Sequence, residues 1–204
     1  MRLILIPTAL ERERIPLEMR RVWIEAGNSI DLCGFGATVS GIQAARSIAK
    51  HRPTQVILLG IAGSYSTEIP PGTAIEFTKV SLFGIGVGAG EEYLGAQDMG
   101  WMQWPVEPKI GDTIDLCKAA TPDRELLSVT AASASSSEVE TKFDRFPAAL
   151  AEDMEGFSVA AACRLEQIPL RIIRGISNFA GNRNHREWKI DASLQAAMEL
   201  LLQR

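Results

Sequence analysis

At 204 residues, 46% of them hydrophobic and 23% charged, the chain has the make-up of an ordinary globular protein with enough apolar surface for a substantial core. A formal net charge of −4 argues against the broad basic face on which duplex nucleic acid is bound, while leaving room for a small anionic ligand. Three scattered cysteines (Cys33, Cys117, Cys163) and only two histidines (His51, His185), with no C-x-x-C, argue against a structural zinc site and read as core filling in a reducing compartment.

Taken in chain order, short runs rich in Ile, Val and Leu alternate with segments of helical periodicity. RLILI (2–6) reads as a strand. ALERERIPLEMRRVWIEAG (9–27) reads as helix, with Met19, Val22, Trp23 and Ala26 at helical spacing and Gly27 as a stop; Pro16 either interrupts it or begins its main part. SIDLCGFG (29–36) predicts a second strand, and TVSGIQAARSIAK (38–50) a helix capped by Thr38 or Ser40. QVILLGI (55–61) is a near-continuous apolar run of the kind buried on both faces of a sheet, and it leads straight into Ala62-Gly63-Ser64.

Residues 72–116 read as strand and loop. ELLSVTAAS (125–133) suggests another strand, and SASSSE (133–138) is a short low-complexity patch. EDMEGFSVAAACRLEQ (152–167) is expected to be helical, with Met154, Phe157, Ala161 and Leu165 on one stripe. LRIIRGI (170–176) is a strand, and DASLQAAMELLLQ (191–203) a closing helix capped by Asp191, with Leu194, Ala197, Met198 and Leu201 facing inward. The fold class so implied is α/β: one domain over residues 1–204, three layers, with a mixed central sheet. No apolar run is long enough to span a bilayer, and MRLILIPTALERER is too brief for a signal-peptide core, so a cytoplasmic location is expected.

In such sheets ligands sit where strands run into loops at the carboxyl edge. Three strand ends carry suggestive groups there: Ala62-Gly63-Ser64, Ser177-Asn178, and the first strand followed by Glu11 and Glu13. Two glutamates in an early helical turn are ordinarily solvated, favoured there by the helix dipole. Glu155, flanked by Met154, Gly156 and Phe157, is different. A carboxylate in apolar surroundings needs a partner or a purpose, and Arg174 or Arg171 on the next strand offers the first. FGIGVGAGEEYLG (83–95) contains a G-x-G, but Glu91-Glu92 stand where a pyrophosphate would have to sit, so it reads as a loop flanking a site rather than a dinucleotide fingerprint.

Together these stretches resemble the nucleoside phosphorylase and nucleosidase superfamily. EDMEGFSVAAACRLEQIPLRIIRGISN is similar to its M-E-G/A, helix, V-P-x-x-x-x-R-x-I-S-D stretch, CGFGATVSGIQAA to its S-G-I-G helix start, and LLGIAGSYSTEIPPGTAIEF to its T-G-x-A-G-G segment. Within it, GISNFAGNRNHREWKIDASL resembles the C-terminal stretch of the futalosine hydrolases, and PTALERE their N-terminal one.

The resemblance implies hydrolysis of a purine N-glycosidic bond through an oxocarbenium-like transition state, with no cofactor and no metal. It implies Glu13 as the water-activating base, Glu11 being the weaker choice, and Arg174 as the group that steadies water and carboxylate. Glu155 is then expected to hold ribose hydroxyls, Met154 to pack on the sugar, and the Ala62-Gly63 backbone and Ser177 to border the site. Asn178 stands where relatives that cleave 6-aminopurine nucleosides carry aspartate. An amide NH2 suits a 6-oxopurine such as hypoxanthine, whereas adenine would set one NH2 against another. Futalosine, feeding menaquinone biosynthesis, is the substrate so implied. The expected partner is a small purine nucleoside, bound by an assembly of at least two copies, with neither nucleic acid nor membrane involved. Alternatives are a methylthioadenosine/adenosylhomocysteine or inosine nucleosidase, a phosphorylase, and a non-catalytic nucleoside-binding protein.

Overall fold

The computed structural model describes residues 1–116 and 123–203; Cys117 lies outside them. The elements in order are β1 (Arg2–Ile6), α1 (Ala9–Arg14), α2 (Leu17–Glu25), β2 (Ser29–Leu32), α3 (Ala37–His51), β3 (Gln55–Ser64), β4 (Ala74–Phe77) and β5 (Lys79–Phe83). There follow β6 (Gly86–Val87), β7 (Leu94–Gly95), β8 (Thr113–Asp115), β9 (Glu125–Val129), α4 (Ser136–Arg145), β10 (Ala149–Asp153), α5 (Gly156–Leu165), β11 (Leu170–Phe179) and α6 (Ile190–Leu202).

Because strand side chains alternate between faces, an apolar run with no polar alternate must be covered on both sides. That is what β1, β3 and β11 show. Leu3, Leu5, Val56, Leu58, Ile172 and Ile176 join Ala44 and Ile48 of α3 and Phe157, Val159 and Cys163 of α5 in one core. Ile4, Ile6, Ile57, Leu59 and Ile173 face the other way, against Trp23 of α2 and Ala197, Met198 and Leu201 of α6. The result is the expected three layers around a mixed sheet. Among the described residues no helix is long and apolar enough to cross a membrane.

Strand β3 is the hub of the sheet. β11 lies parallel along one of its edges, from Val56 to Ser64. The other edge is shared: β1 runs parallel to Gln55–Leu58, and β10 comes in antiparallel at Gly63 and Ser64. Between the two partners a short stretch of β3 has no strand beside it on that edge, so its backbone groups are open to other partners. The loops leaving β1 and β10 both arrive at this gap.

Several boundaries differ from expectation for identifiable reasons. Residues 149–153 form strand β10, so Asp153-Met154-Glu155 is the turn before α5 rather than its first turns. The helical stripe was misleading: Leu165 is exposed. SASSSE starts a helix, α4, because Ser135 caps it by accepting from the Glu138 N–H. Helix α3 opens on Gly36 at φ +78, not on a Thr38 or Ser40 cap. At α6 the cap position is Lys189, and Asp191 instead pairs with Arg14 at 2.5 Å. The glycine-rich stretch folds back as a small hairpin in which β6 pairs with β7, which removes the dinucleotide reading.

Candidate active site

Thr8-Ala9-Leu10-Glu11 forms a capping box at the start of α1. The Glu11 N–H bonds to Thr8 Oγ1 at 3.2 Å, and Glu11 Oε2 accepts from the Thr8 N–H at 3.0 Å and from its hydroxyl at 2.5 Å. This reciprocal cap turns the Glu11 side chain back toward the sheet. Its other oxygen, Oε1, accepts from the Ile61 N–H at 3.0 Å, a backbone donor in the gap on the edge of β3. Glu11 is 4% exposed. Glu13, two residues on, falls on the outer face of α1 and is exposed. Of the two glutamates considered for the base, Glu13, the one expected, thus faces outward, and the carboxylate held in against the sheet is Glu11.

Arg174 of β11 reaches the same point from the other side of β3. It is fully buried, and its Nε and Nη2 donate to Asp153 Oδ2. Nη2 also lies 3.4 Å from Glu155 Oε2. Its remaining nitrogen, Nη1, is buried without a hydrogen-bond partner. A Cβ on Gly60 would stand 2.3 Å from Arg174 Nη1 and 2.7 Å from Glu11 Oε1. Gly60 thus lets a cation and a carboxylate close on one patch of strand backbone, which no other residue would allow. The unpartnered donor and the Glu11 oxygen thus both stand against the bare face of Gly60.

Asp153 and Glu155 complete the cluster from the turn after β10. Asp153 accepts from the Gly156 N–H as well as from Arg174. Glu155 turns away from α5, and its Oε1 accepts from the Gly36 N–H at 3.0 Å, so the residue that opens α3 also fixes a carboxylate. Arg171, the other arginine considered for Glu155, is spent on Glu76 in a bidentate pair at 2.7 and 2.9 Å. The Glu155 carboxyl is raised from 4.5 to about 7: desolvation pushes it up most, Arg174 pulls it down, Asp153 pushes it up, the Gly36 N–H lowers it and Glu11 adds a smaller push upward. Burial alone would lower the Arg174 guanidinium, but its three acidic neighbours hold it above its ordinary value. One cation among three carboxylates leaves the cluster with excess negative charge, which a proton on Glu155 relieves.

That proton has a measurable consequence. Between 4.5 and about 7 the folded protein keeps a proton that the unfolded chain has lost, so Glu155 erodes stability as pH rises through this window. Below the window the penalty is absent, and above it the penalty is complete. Glu155→Gln is expected to gain on the wild type between pH 5 and pH 8 by roughly 2–3 kcal/mol, on the order of 5–10 °C in melting temperature. Parallel pH profiles in thermal melts would refute it.

The second group of residues lies farther along β3 and β11. A register shift between Ile176 and Asn178 sets Asn178 opposite Gly63. Ser177 Oγ reaches Ala62 O at 3.3 Å and donates to Asn178 Oδ1 at 2.7 Å. The Asn178 NH2 then points at two carbonyls, Phe179 O at 2.8 Å and Asn182 O at 3.4 Å, which fixes the orientation of the amide. A Cβ on Gly63 would meet Asn178 Nδ2 and Ala180 Cα at 3.4 Å each, so Gly63 borders the amide rather than the carboxylates. Strand rise puts about 13 Å between the Cα atoms of Arg174 and Asn178. Met154 is half-buried beside Leu127, Val129 and Ala149.

Of the residues singled out from sequence, Ala62, Gly63, Ser177 and Asn178 lie together toward the carboxyl ends of β3 and β11, while Arg174 and Glu155 meet each other farther back, beside Gly60. Sequence reasoning missed Asp153, and it ranked Glu13 above Glu11 although the T-x-x-E capping signature at residues 8–11 was available to reverse that order. Among the aromatic residues, Tyr93 is buried against Phe83 at a centroid distance of 4.5 Å, Trp101 is exposed, and Phe179, next to Asn178, is partly exposed.

The sequence pattern described as the phosphorylase superfamily matches residues 22–203. A futalosine hydrolase from Streptomyces coelicolor is 28% identical over 144 residues, an overlap of 69% of this chain but only 60% of that protein. A 5′-methylthioadenosine/S-adenosylhomocysteine nucleosidase from Chromohalobacter salexigens is 24% identical over 172 residues, 81% of this chain and 70% of that protein. Among solved structures, the futalosine hydrolase of Helicobacter pylori superposes with a TM-score of 0.78 at 16% identity, covering 98% of this chain and 95% of its own. The methylthioadenosine/adenosylhomocysteine nucleosidase of the same organism, bound to butyl-thio-DADMe-Immucillin-A, gives 0.77 at 16% identity, covering 99% and 96%.

Proposed function

The chain belongs to the phosphorylase superfamily, and from that premise we propose that it is a nucleosidase, one domain over residues 1–204, that hydrolyses the N-glycosidic bond of a 6-oxopurine nucleoside. Futalosine is the substrate the reading favours, with hypoxanthine and dehypoxanthine futalosine as products, as a step of menaquinone biosynthesis in the cytoplasm. The observation that carries it is the buried Glu11–Arg174–Asp153–Glu155 cluster, with the unpaired Arg174 Nη1 beside Glu11 Oε1. A water seated there accepts from Arg174 and gives a proton to Glu11 as it attacks the anomeric carbon. Glu155 holds ribose hydroxyls, Met154 packs on the sugar, and Asn178 donates to the N7/O6 edge of the departing base, where negative charge develops.

The same cluster speaks against phosphorolysis. A phosphate dianion would enter a site whose cation is already paired with Asp153 and Glu155 and whose other near neighbour is Glu11. Asn178 speaks against the 6-aminopurine reading that the methylthioadenosine nucleosidases represent, because its NH2 would meet another NH2. Exposed Phe35, Val39 and Ile42 flank the Gly36 that holds Glu155, which supports an assembly of at least two copies.

Incubation with futalosine, inosine and methylthioadenosine, each with and without phosphate, tests the reading. Hypoxanthine release from futalosine at a rate independent of phosphate is expected. Adenine release as the faster reaction, or a rate that follows phosphate, would replace the reading with one of its rivals. Nucleoside binding without release of base would mark a binding protein.

A further inference from the structure

The amide of Asn178 does not stand free in the unliganded protein: it is spent on the loop that follows it. Its two hydrogens go to Phe179 O at 2.8 Å and Asn182 O at 3.4 Å. To reach a purine it must let go of at least one. A part-buried carbonyl abandoned in that exchange loses a partner, at a cost in binding energy unless something else already serves it.

Both carbonyls are already served. Phe179 O also accepts from the Asn182 N–H at 3.1 Å, closing a turn that passes through Gly181 at φ +83. Asn182 O also accepts from the indole Nε1 of Trp188 at 3.1 Å. The indole is itself held, with the His185 ring 4.3 Å away on centroids and the Arg183 guanidinium 5.2 Å over it. Asn182 cannot drift, because its side-chain amide donates to Glu187 Oε2 at 2.7 Å and its Oδ1 accepts from the Asn184 N–H at 2.8 Å. Glu187 is gripped a second time by Asn184 Nδ2, at 2.7 Å. The neck of the loop is closed by Lys189 N–H donating to Ser177 O at 2.8 Å.

We propose that Trp188 is a positioning residue whose indole N–H stands in for Asn178 on the Asn182 carbonyl, so that the amide can hand its longer, weaker hydrogen bond to the bound purine without orphaning a backbone acceptor or disturbing the loop. Ser177 keeps hold of Oδ1, Phe179 O keeps the first hydrogen, and the second is the one exchanged. The inference rests on the nucleosidase reading for the identity of the ligand, but not for the hydrogen-bond exchange itself.

Trp188→Phe removes the N–H and keeps a ring for His185 and Arg183. In this variant Asn182 O depends on Asn178 alone, so the amide should be held more tightly in the free protein. Two measurements test this. The first needs no ligand: the side-chain NH2 of Asn178, observed by ¹⁵N NMR, should exchange with solvent several-fold more slowly in Trp188→Phe than in the wild type. Equal or faster exchange overturns the proposal. The second is hypoxanthine affinity by calorimetry across the cycle of Asn178→Ala, Trp188→Phe and the double variant. Trp188→Phe should weaken binding on the order of tenfold when Asn178 is present and leave it unchanged when Asn178 is absent. Equal losses in both backgrounds would show a merely structural tryptophan and overturn it. Slowed exchange in a protein that binds no hypoxanthine would instead uphold the exchange and refute the 6-oxopurine reading.

Discussion

Glu11→Gln should lower the turnover of base release by roughly 10²–10⁴-fold, while Glu13→Gln should stay within about twofold of the wild type. The carboxamide keeps an oxygen that can accept from Ile61 N–H and so hold the strand edge, but it cannot take a proton from water. Its NH2, moreover, turns either on Thr8, where two donors already point at Oε2, or on the spot shared with Arg174 Nη1. The cap is weakened by about 0.5–2 kcal/mol in consequence. Melting temperature must therefore be recorded beside the rate. A folded Glu11→Gln with near wild-type turnover would show that the carboxylate is a helix cap and nothing more. A large loss in Glu13→Gln would return the base to the exposed face of α1.

Asn178→Asp should reverse the preference between purines. An ionised carboxylate at this position would face Phe179 O and Asn182 O with no hydrogen to offer, acceptor against acceptor on both. The O6 of hypoxanthine would add a third. Catalytic efficiency on futalosine is expected to fall on the order of a hundredfold, and the ratio of futalosine to methylthioadenosine efficiency to shift by at least as much, since an acid that carries its proton can serve N7 while its other oxygen accepts from a 6-amino group. The ratio, rather than either rate alone, is the informative quantity, because loop damage would lower both. An unchanged ratio would show that Asn178 does not read the base.

The parts of this fold that were legible from sequence are those where one physical demand dominates. The runs of β1, β3 and β11 are apolar on both alternating faces, which only a central strand of a three-layer sheet requires. Arg174 stood out because a fully buried guanidinium inside such a run must meet an acid, and it does. The failures lie where two demands coincide. Asp153 to Gly156 fits the helical period of α5, yet the chain there is finishing strand β10, and the periodicity extends backward over the turn between them. Helix α4 was overlooked because a serine run looks like loop until its first members are recognised as a cap. Glu11 and Glu13 differ little as letters. What separates them is the hydroxyl of Thr8, three residues before the first, which folds one carboxylate inward while helix geometry sends the other out. The hand-over between Trp188 and Asn178 had no signature at all, since it depends on a backbone carbonyl that any residue at 182 would supply.

The most direct test of the central claim is the position of one nitrogen in a structure of the protein with hypoxanthine bound. The account predicts Asn178 Nδ2 within about 2.7–3.2 Å of O6 or N7, with Oδ1 still on Ser177 Oγ and Asn182 O left to Trp188. Hypoxanthine seated elsewhere, or seated in the cleft while Asn178 keeps both the Phe179 and Asn182 carbonyls, would contradict it.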